Sequence, residues 1–264
     1  MHYLTNLIFC CNEGSFIKDH IDIHRALGVE HFVIYDRSYI PPYPRDIFSG
    51  VSDVEVLTYP TDKYHLISHC YRDGMIYLQG KTKWCAVNDV DEVFCPTKVD
   101  DLRVMLQEYE RYSAVSFNWK MFGSSWHEKE PNQCPYLSFT KRANNNFNPN
   151  QHVKSIVQVS DVSIGKRWRS SHHPPLEAPR FQVNEKFRYI NGPFNEDVSY
   201  DVCAVYHYFT RSREAWAQKT DRINADTGGA PTYTEQQFDD YNRECNEIDD
   251  FRVRDLWNKL VGNK

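Results

Sequence analysis

The sequence predicts an α/β fold in a single domain, a mainly parallel central sheet flanked by helices. Three observations lead there. Short apolar runs alternate with amphipathic stretches up to residue 96. Those runs are apolar at successive positions, as in strands covered on both faces. At 264 residues, 41% hydrophobic and 14% aromatic, the chain can bury one sizeable core.

Each element can be argued in order. "YLTNLIFCC" is the first strand and stops at "NEGS". "SFIKDHIDIHRALG" then sets Ile17, Ile21, His24 and Leu27 at helical spacing, with Ser15 as expected N-cap and Gly28 as terminator. "HFVIYDRS" is a second strand, dense in β-branched and aromatic residues and closing on Asp36. "VEVLTYP" is a third. A helix over 64–80 shows Ile67, Tyr71, Gly74 and Leu78 on one face, and "KWCAV" is the fourth strand. Beyond residue 96 the expected elements are a helix near 100–110 and strands at "AVSFNWKMF", "KSIVQV" and "CAVYHYF". A C-terminal helix runs from Thr234 through Phe238, Tyr241, Cys245 and Ile248.

Charge and composition exclude some partners. The net charge is −5, and no Lys/Arg block exceeds a dipeptide, so the chain lacks the footprint of a nucleic-acid or anionic-membrane binder. No apolar run approaches the length of a membrane span and no basic leader precedes the first strand, so neither a span nor a signal peptide is expected. Eight scattered cysteines without a Cys-x-x-Cys fit reduced thiols and a cytoplasmic setting.

In parallel sheets ligands bind beyond the carboxyl ends of the strands. The loops "CNEGS", "YDRS" and "NDVDE" all fall at such ends. The last holds Asp89 and Asp91, the single Asp-x-Asp of the chain. On extended backbone the two carboxylates share a face and repel unless a cation lies between them, and hard oxygens select Mg²⁺ or Mn²⁺. A cation at such a crevice commonly serves a phosphate. Three readings stay open: transfer from a nucleotide-sugar, a haloacid-dehalogenase-like phosphohydrolase with Asp89 as nucleophile and Asp91 as acid/base, and a carbohydrate-binding protein without catalysis. The bland reading is a solvated turn.

Five stretches in order, "NEGSFIKDHIDIHRALGVEHFVIYDRS", "KWCAVNDVDEVFCP", "WKMFGSS", "KSIVQVSDV" with "HHP", and "VYHYFTRSREAWAQK", give the chain its resemblance to GT-A glycosyltransferases. It is specifically similar to family 92 and to stand-alone relatives from bacteria or large algal viruses. The resemblance implies a Rossmann-like GT-A domain over 1–264, with 1–96 as nucleotide-binding half and 97–264 as acceptor-side half carrying the C-terminal helix. It implies transfer of a sugar, with xylose, galactose or glucose favoured, from a UDP-sugar to a glycan hydroxyl with inversion, and location in the cytoplasm, the host's if the chain is viral. Asn12, Glu13, Asp36, Asp89, Arg211 and Lys219 would hold the nucleotide. Asp89, Asp91 and His207 would hold Mn²⁺ or Mg²⁺. Trp119, Phe122 and His173 would meet the acceptor. Among acids in loops flanking strands, Glu128, Glu130, Glu196 and Asp197, the expected base is Glu128 or Asp197. Relatives tend to carry Gly after "FGSS", where this chain has Trp126.

Overall fold

The computed structural model describes every residue except 60–65, 167, 169, 171, 221–232 and 263–264. The start of the helix expected from residue 64 therefore lies outside the described residues. Strand β1 (His2–Cys10), helix α1 (Phe16–Ala26), strand β2 (His31–Asp36), the short helix α2 (Pro44–Ile47), strand β3 (Val54–Thr58), helix α3 (Leu66–Leu78) and strand β4 (Thr82–Val87) form the first half. These strands lie parallel in the order β3-β2-β1-β4. Their carboxyl ends share one edge, because Cys10 aligns with Asp36 and Leu7 with Val87.

Past β4 the chain turns at once into β5 (Glu92–Pro96), a strand the hydrophobic pattern did not separate from the Asp-x-Asp loop. Helix α4 (Leu102–Leu106), strand β6 (Ala114–Met121), helix α5 (Pro135–Ser138), strand β7 (Lys141–Arg142) and strand β8 (Val153–Gln158) follow. Then come β9 (Gln182–Asn184), β10 (Tyr189–Ile190), β11 (Cys203–His207), α6 (Arg213–Thr220), α7 (Glu235–Glu244), β12 (Ile248–Asp249) and α8 (Arg252–Leu260). The large sheet continues from β4 through β8, β6, β9 and β10, while β11 joins β6 in parallel and β5 in antiparallel. It is one mostly parallel mixed sheet in one domain.

Alternation along β1 explains the layering. Leu4, Ile8 and Cys10 enter the core under α1 and α8, whereas Leu7 and Phe9 enter the core under α3, so helices cover both faces. Gly74 lets α3 approach closely: a Cβ there would stand 2.6 Å from Leu7 Cδ2. Gly28 ends α1 in the left-handed region at φ +95°, as expected. Ser15 occupies the N-cap position of α1 but its side chain makes no capping hydrogen bond. The C-terminal helix is corrected more substantially. Thr234 caps α7 in a reciprocal capping box with Gln237, but the helix stops at Glu244. Ile248 and Asp249 then pair with β7, and a second helix, α8, returns to the body. Among the described residues no helix is long and apolar enough to cross a membrane.

Candidate active site

The turn between β4 and β5 carries the Asp-x-Asp, and a buried polar network fixes it from below. Asn6 donates to Ala86 O and to Asn88 Oδ1, and Asn88 donates in turn to Glu92 O. The His20 ring spans from Asn6 Oδ1, at 2.9 Å, to Val90 O, at 3.0 Å. All three side chains are fully buried, so the turn is built into the core rather than laid on its surface.

Contrary to the side-by-side expectation, the two carboxylates turn to different cations. Antiparallel pairing of Val87 with Ser155 brings Lys154 to the end of β4, where its ammonium donates to Asp89 at 2.7 Å and lies 3.3 Å from Glu92. Lys154 and Glu92 are both 0% exposed. Burial would deprotonate Lys154, but Asp89 and Glu92 outweigh it and raise its pKa. Burial lifts Glu92 to about 7 against the pull of Lys154. Asp91 faces the other way. Lys219 on α6 donates to its Oδ2 at 2.8 Å, and His207 Nε2 lies 3.6 Å from its Oδ1. Burial alone would raise the Asp91 pKa; Lys219 and His207 reverse this and hold it well below the usual carboxylate range.

Strand pairing explains the position of His207. Its partner in register on β5 is Glu92, and Tyr208 N–H donates to Asp91 O. His207 Nδ1 and Glu92 Oε1 are 3.9 Å apart, both buried and without a hydrogen-bond partner. A carboxylate behind the distal nitrogen of an imidazole is the arrangement that orients a metal-bound histidine. Asp91 and His207 are the residues that would hold a divalent cation here, and phosphate or water would have to supply the rest of its shell. Asp89 is held apart from that pair by the buried Lys154, whereas the lysine on Asp91 comes from α6. Among the described residues no three His, Cys, Asp or Glu side chains converge into a full cage.

The other expected site residues divide into those that gather near the strand ends and those that do not. Asn12, at φ +56°, is a clasp: its N–H donates to Ser38 Oγ, and its Oδ1 accepts from Tyr39 and Ile40 N–H. Asp36 accepts from Ser38 N–H at 2.8 Å. Asn12, Glu13 and Arg211 line one cavity of about 390 Å³. Arg211, itself at φ +51°, donates to Glu130 and lies 3.8 Å from Glu13. Trp119 stands behind His207, but His152 and His207 pack against its ring at 4.6 and 4.3 Å, so it is a wall rather than an open stacking surface.

Phe122 is 1% exposed between Tyr206 and Tyr208, which makes it core and removes it from an acceptor surface. His173 pairs with Gln182 at 3.0 Å. Glu128 is 72% exposed and bound to Arg213. Asp197 pairs with Lys186 and Arg188 and lines a separate cavity of about 700 Å³. Neither of these two acids contacts Asp91, His207 or Trp119 among the described residues, and neither cavity is lined by Asp89 or Asp91. Trp126 adopts φ +68°, the left-handed region where Gly is unstrained. Sequence reasoning missed Lys154, Glu92, Asn6 and His20. Their polar character at buried strand and helix positions was the available signal.

Comparison with known proteins now adds to this geometry. No curated protein matches the sequence. Similar solved structures include 4-diphosphocytidyl-2C-methyl-D-erythritol synthase from Anaerococcus prevotii, at 11% identity and TM-score 0.35, covering 60% of this chain and 72% of that one. A protein assigned as a glucose-1-phosphate thymidylyltransferase from Bacillus anthracis has 12% identity and TM-score 0.33, with the same coverage. The family model of glycosyltransferase family 92 matches residues 12–191, a span that holds the β1 loop, the Asp-x-Asp turn and Lys154. The chain belongs to glycosyltransferase family 92, and it is a glycosyltransferase.

Proposed function

We propose that the enzyme moves xylose, galactose or glucose from a UDP-sugar to a hydroxyl of a glycan acceptor, with inversion and with Mn²⁺ or Mg²⁺ bound at Asp91 and His207. The observation that carries this reading is the convergence of Asp91, His207 and Lys219 where β4 and β11 end. A bound divalent ion would supply Lewis-acid stabilisation of the departing diphosphate. The chain's own residues do the rest. Lys219 neutralises Asp91 before substrate arrives and is placed to share its charge with a phosphate. Glu92 stands behind Nδ1 of His207, so that with a cation bound a proton on Nδ1 would face Glu92 and leave Nε2 to the cation. Lys154 holds Asp89 through Oδ2 and Tyr71 donates to its Oδ1, and a ribose reaching Asp89 would compete with the Tyr71 hydroxyl. Asn12 joins the loops after β1 and β2, where the nucleoside would lie, and Arg211 borders the same cavity. Family membership removes the phosphohydrolase reading and the reading without catalysis.

Thermal-shift titration with UDP, GDP and dTDP, each with Mn²⁺ or with chelator, tests the proposal, because a ligand of the native state raises the melting temperature by mass action. UDP with Mn²⁺ should give the largest rise. If no nucleoside diphosphate shifts melting in the presence of metal, the reading is lost. Asp91→Asn should keep the fold, lose the metal-dependent increment and lower transfer about 100-fold or more.

A further inference from the structure

We propose that His172, the first histidine of "HHP", is the general base of the transfer, the group that takes the proton of the attacking hydroxyl. This rests on the reading of inverting transfer from a UDP-sugar given above, which needs a base on the face opposite the diphosphate. Neither expected acid supplies one. Glu128 is engaged by Arg213, Asp197 by Lys186 and Arg188, and neither contacts Asp91, His207 or Trp119 among the described residues.

His172 is tied to the site on two sides. Its Nδ1 lies 2.9 Å from Val153 O, and the next residue, Lys154, donates to Asp89. Val87 pairs with Ser155 and β8 runs antiparallel to β4, so Val153 lies on the side of that pair where β4 turns at Asp89. On its other side the ring meets Trp119 at 5.1 Å, and Trp119 meets His207 at 4.3 Å. The backbone of His172 is fixed as well. Its N–H donates to Ser170 Oγ and its carbonyl accepts from Ser155 Oγ, each at 3.1 Å.

These contacts also set the proton. A carbonyl oxygen only accepts, so Nδ1 carries the hydrogen and the neutral ring keeps its lone pair on Nε2. Nε2 makes no hydrogen bond to a described residue and is not among the buried nitrogens without a partner, so it opens to solvent. Burial, and after it the charge of Lys154, holds the ring's pKa well below the usual histidine value against the hydrogen bond to Val153; His152 and His207 act in the same direction as Lys154. The base is therefore unprotonated when the acceptor arrives. Neighbouring histidines differ. His152 also donates through Nδ1, to Pro149 O, but its ring lies flat on Trp119 with Phe194 against it. His207 has a buried Nδ1 and turns Nε2 to Asp91.

In the step this assigns, the acceptor oxygen bonds to the anomeric carbon as the bond from that carbon to the diphosphate oxygen breaks. The electron pair of that bond leaves on the diphosphate. The acceptor's proton passes to Nε2, and the imidazolium then returns it to water.

The test reads turnover as nucleoside diphosphate released from sugar nucleotides of UDP, GDP and dTDP with water as acceptor, and donor binding as the melting shift with Mn²⁺. His172→Ala should keep the melting shift and a KM within about threefold of wild type while kcat falls about 100-fold or more. His172→Gln, whose amide can still donate to Val153 O, should fall as far, because an amide takes no proton. Should His172→Ala melt early, His172→Gln carries the comparison. Added imidazole should raise the turnover of His172→Ala and leave the wild type unchanged, a rescue that a merely structural defect would not show. Diethyl pyrocarbonate should modify His172 in the wild type, as mapped by mass spectrometry. A folded variant with wild-type kcat, a loss without imidazole rescue, a wild type unmodified at His172, or no release from any donor overturns the proposal. If only a GDP- or dTDP-sugar turns over, the UDP reading falls and the variants are compared on that donor, so the two failures are distinct.

Discussion

Lys154 shows what a residue can do that its sequence context conceals. It opens "KSIVQV" and reads as a solvated charge before a strand, yet it is fully buried between Asp89 and Glu92. Removing one partner of a buried pair leaves an uncompensated charge, so Lys154→Met should cost about 3 kcal/mol. Adding Glu92→Gln should recover much of that in urea denaturation; a double variant no more stable than the single one would show that the pair is not the source. Asp19 offers a second residue-scale test, through pH. Burial raises its pKa from 3.8 to about 6, opposed by Lys18. Native Asp19 therefore binds its proton more tightly than the unfolded chain does, a contribution fully present below 3.8 and lost as pH rises through about 6. Two units correspond to about 3 kcal/mol, which partial exposure reduces to roughly 1–2. Asp19→Asn should accordingly be more stable than wild type at pH 7.5 and should lose that advantage near pH 3.5. Equal gains at both pH values would assign the effect to something other than ionisation.

At the scale of elements, periodicity located the strands and helices that bury apolar faces, and it failed where pairing rather than burial defines the element. The first four strands, α1 and α3 were legible because each alternates or repeats over a core. Strand β5 was not, because "EVFCP" follows the Asp-x-Asp without a turn signal and becomes a strand only through β11. That one omission hid the register that sets His207 beside Glu92. The C-terminal run misled differently: Phe238, Tyr241, Cys245 and Ile248 keep helical spacing, but Ile248 is taken by the two-residue pairing with β7. The packing of α3 gives a direct test of an element as a unit. A methyl at position 74 would meet the Leu7 side chain at 2.6–2.7 Å, and the helix must lift from β1 or Leu7 must leave its rotamer. Gly74→Ala, despite its better helix propensity, should then destabilise by about 1–3 kcal/mol. A gain in melting temperature would show that the interface yields freely.

On the scale of the whole molecule, the expected division into a nucleotide half, 1–96, and an acceptor half, 97–264, is a statement about ligands, and the sheet crosses it. The motif order was enough to name the family, because five short stretches must each recur at the right place. The same stretches could not show that Asp89 and Asp91 diverge, since that depends on Lys154 and Lys219, which lie 65 and 128 residues away in the chain. Strand β4 ends the first half but is hydrogen-bonded on its outer edge to β8, and β5 finds its ladder partner in β11. Residues 1–96 alone would leave β4 with an open edge of unpaired peptide groups and β5 with no partner. They would also expose the α1 face that now packs against α8. A fragment covering 1–96 should therefore fail to fold, giving poorly dispersed amide resonances and no cooperative thermal transition. The intact chain should unfold in one step, with tryptophan fluorescence and far-ultraviolet circular dichroism tracing coincident curves, because Trp84 lies in the first half and Trp119, Trp126, Trp168, Trp216 and Trp257 in the second. Separate transitions, or a folded 1–96, would mean that the nucleotide half carries its own stability and that the Asp-x-Asp turn is set before β8 and β11 arrive.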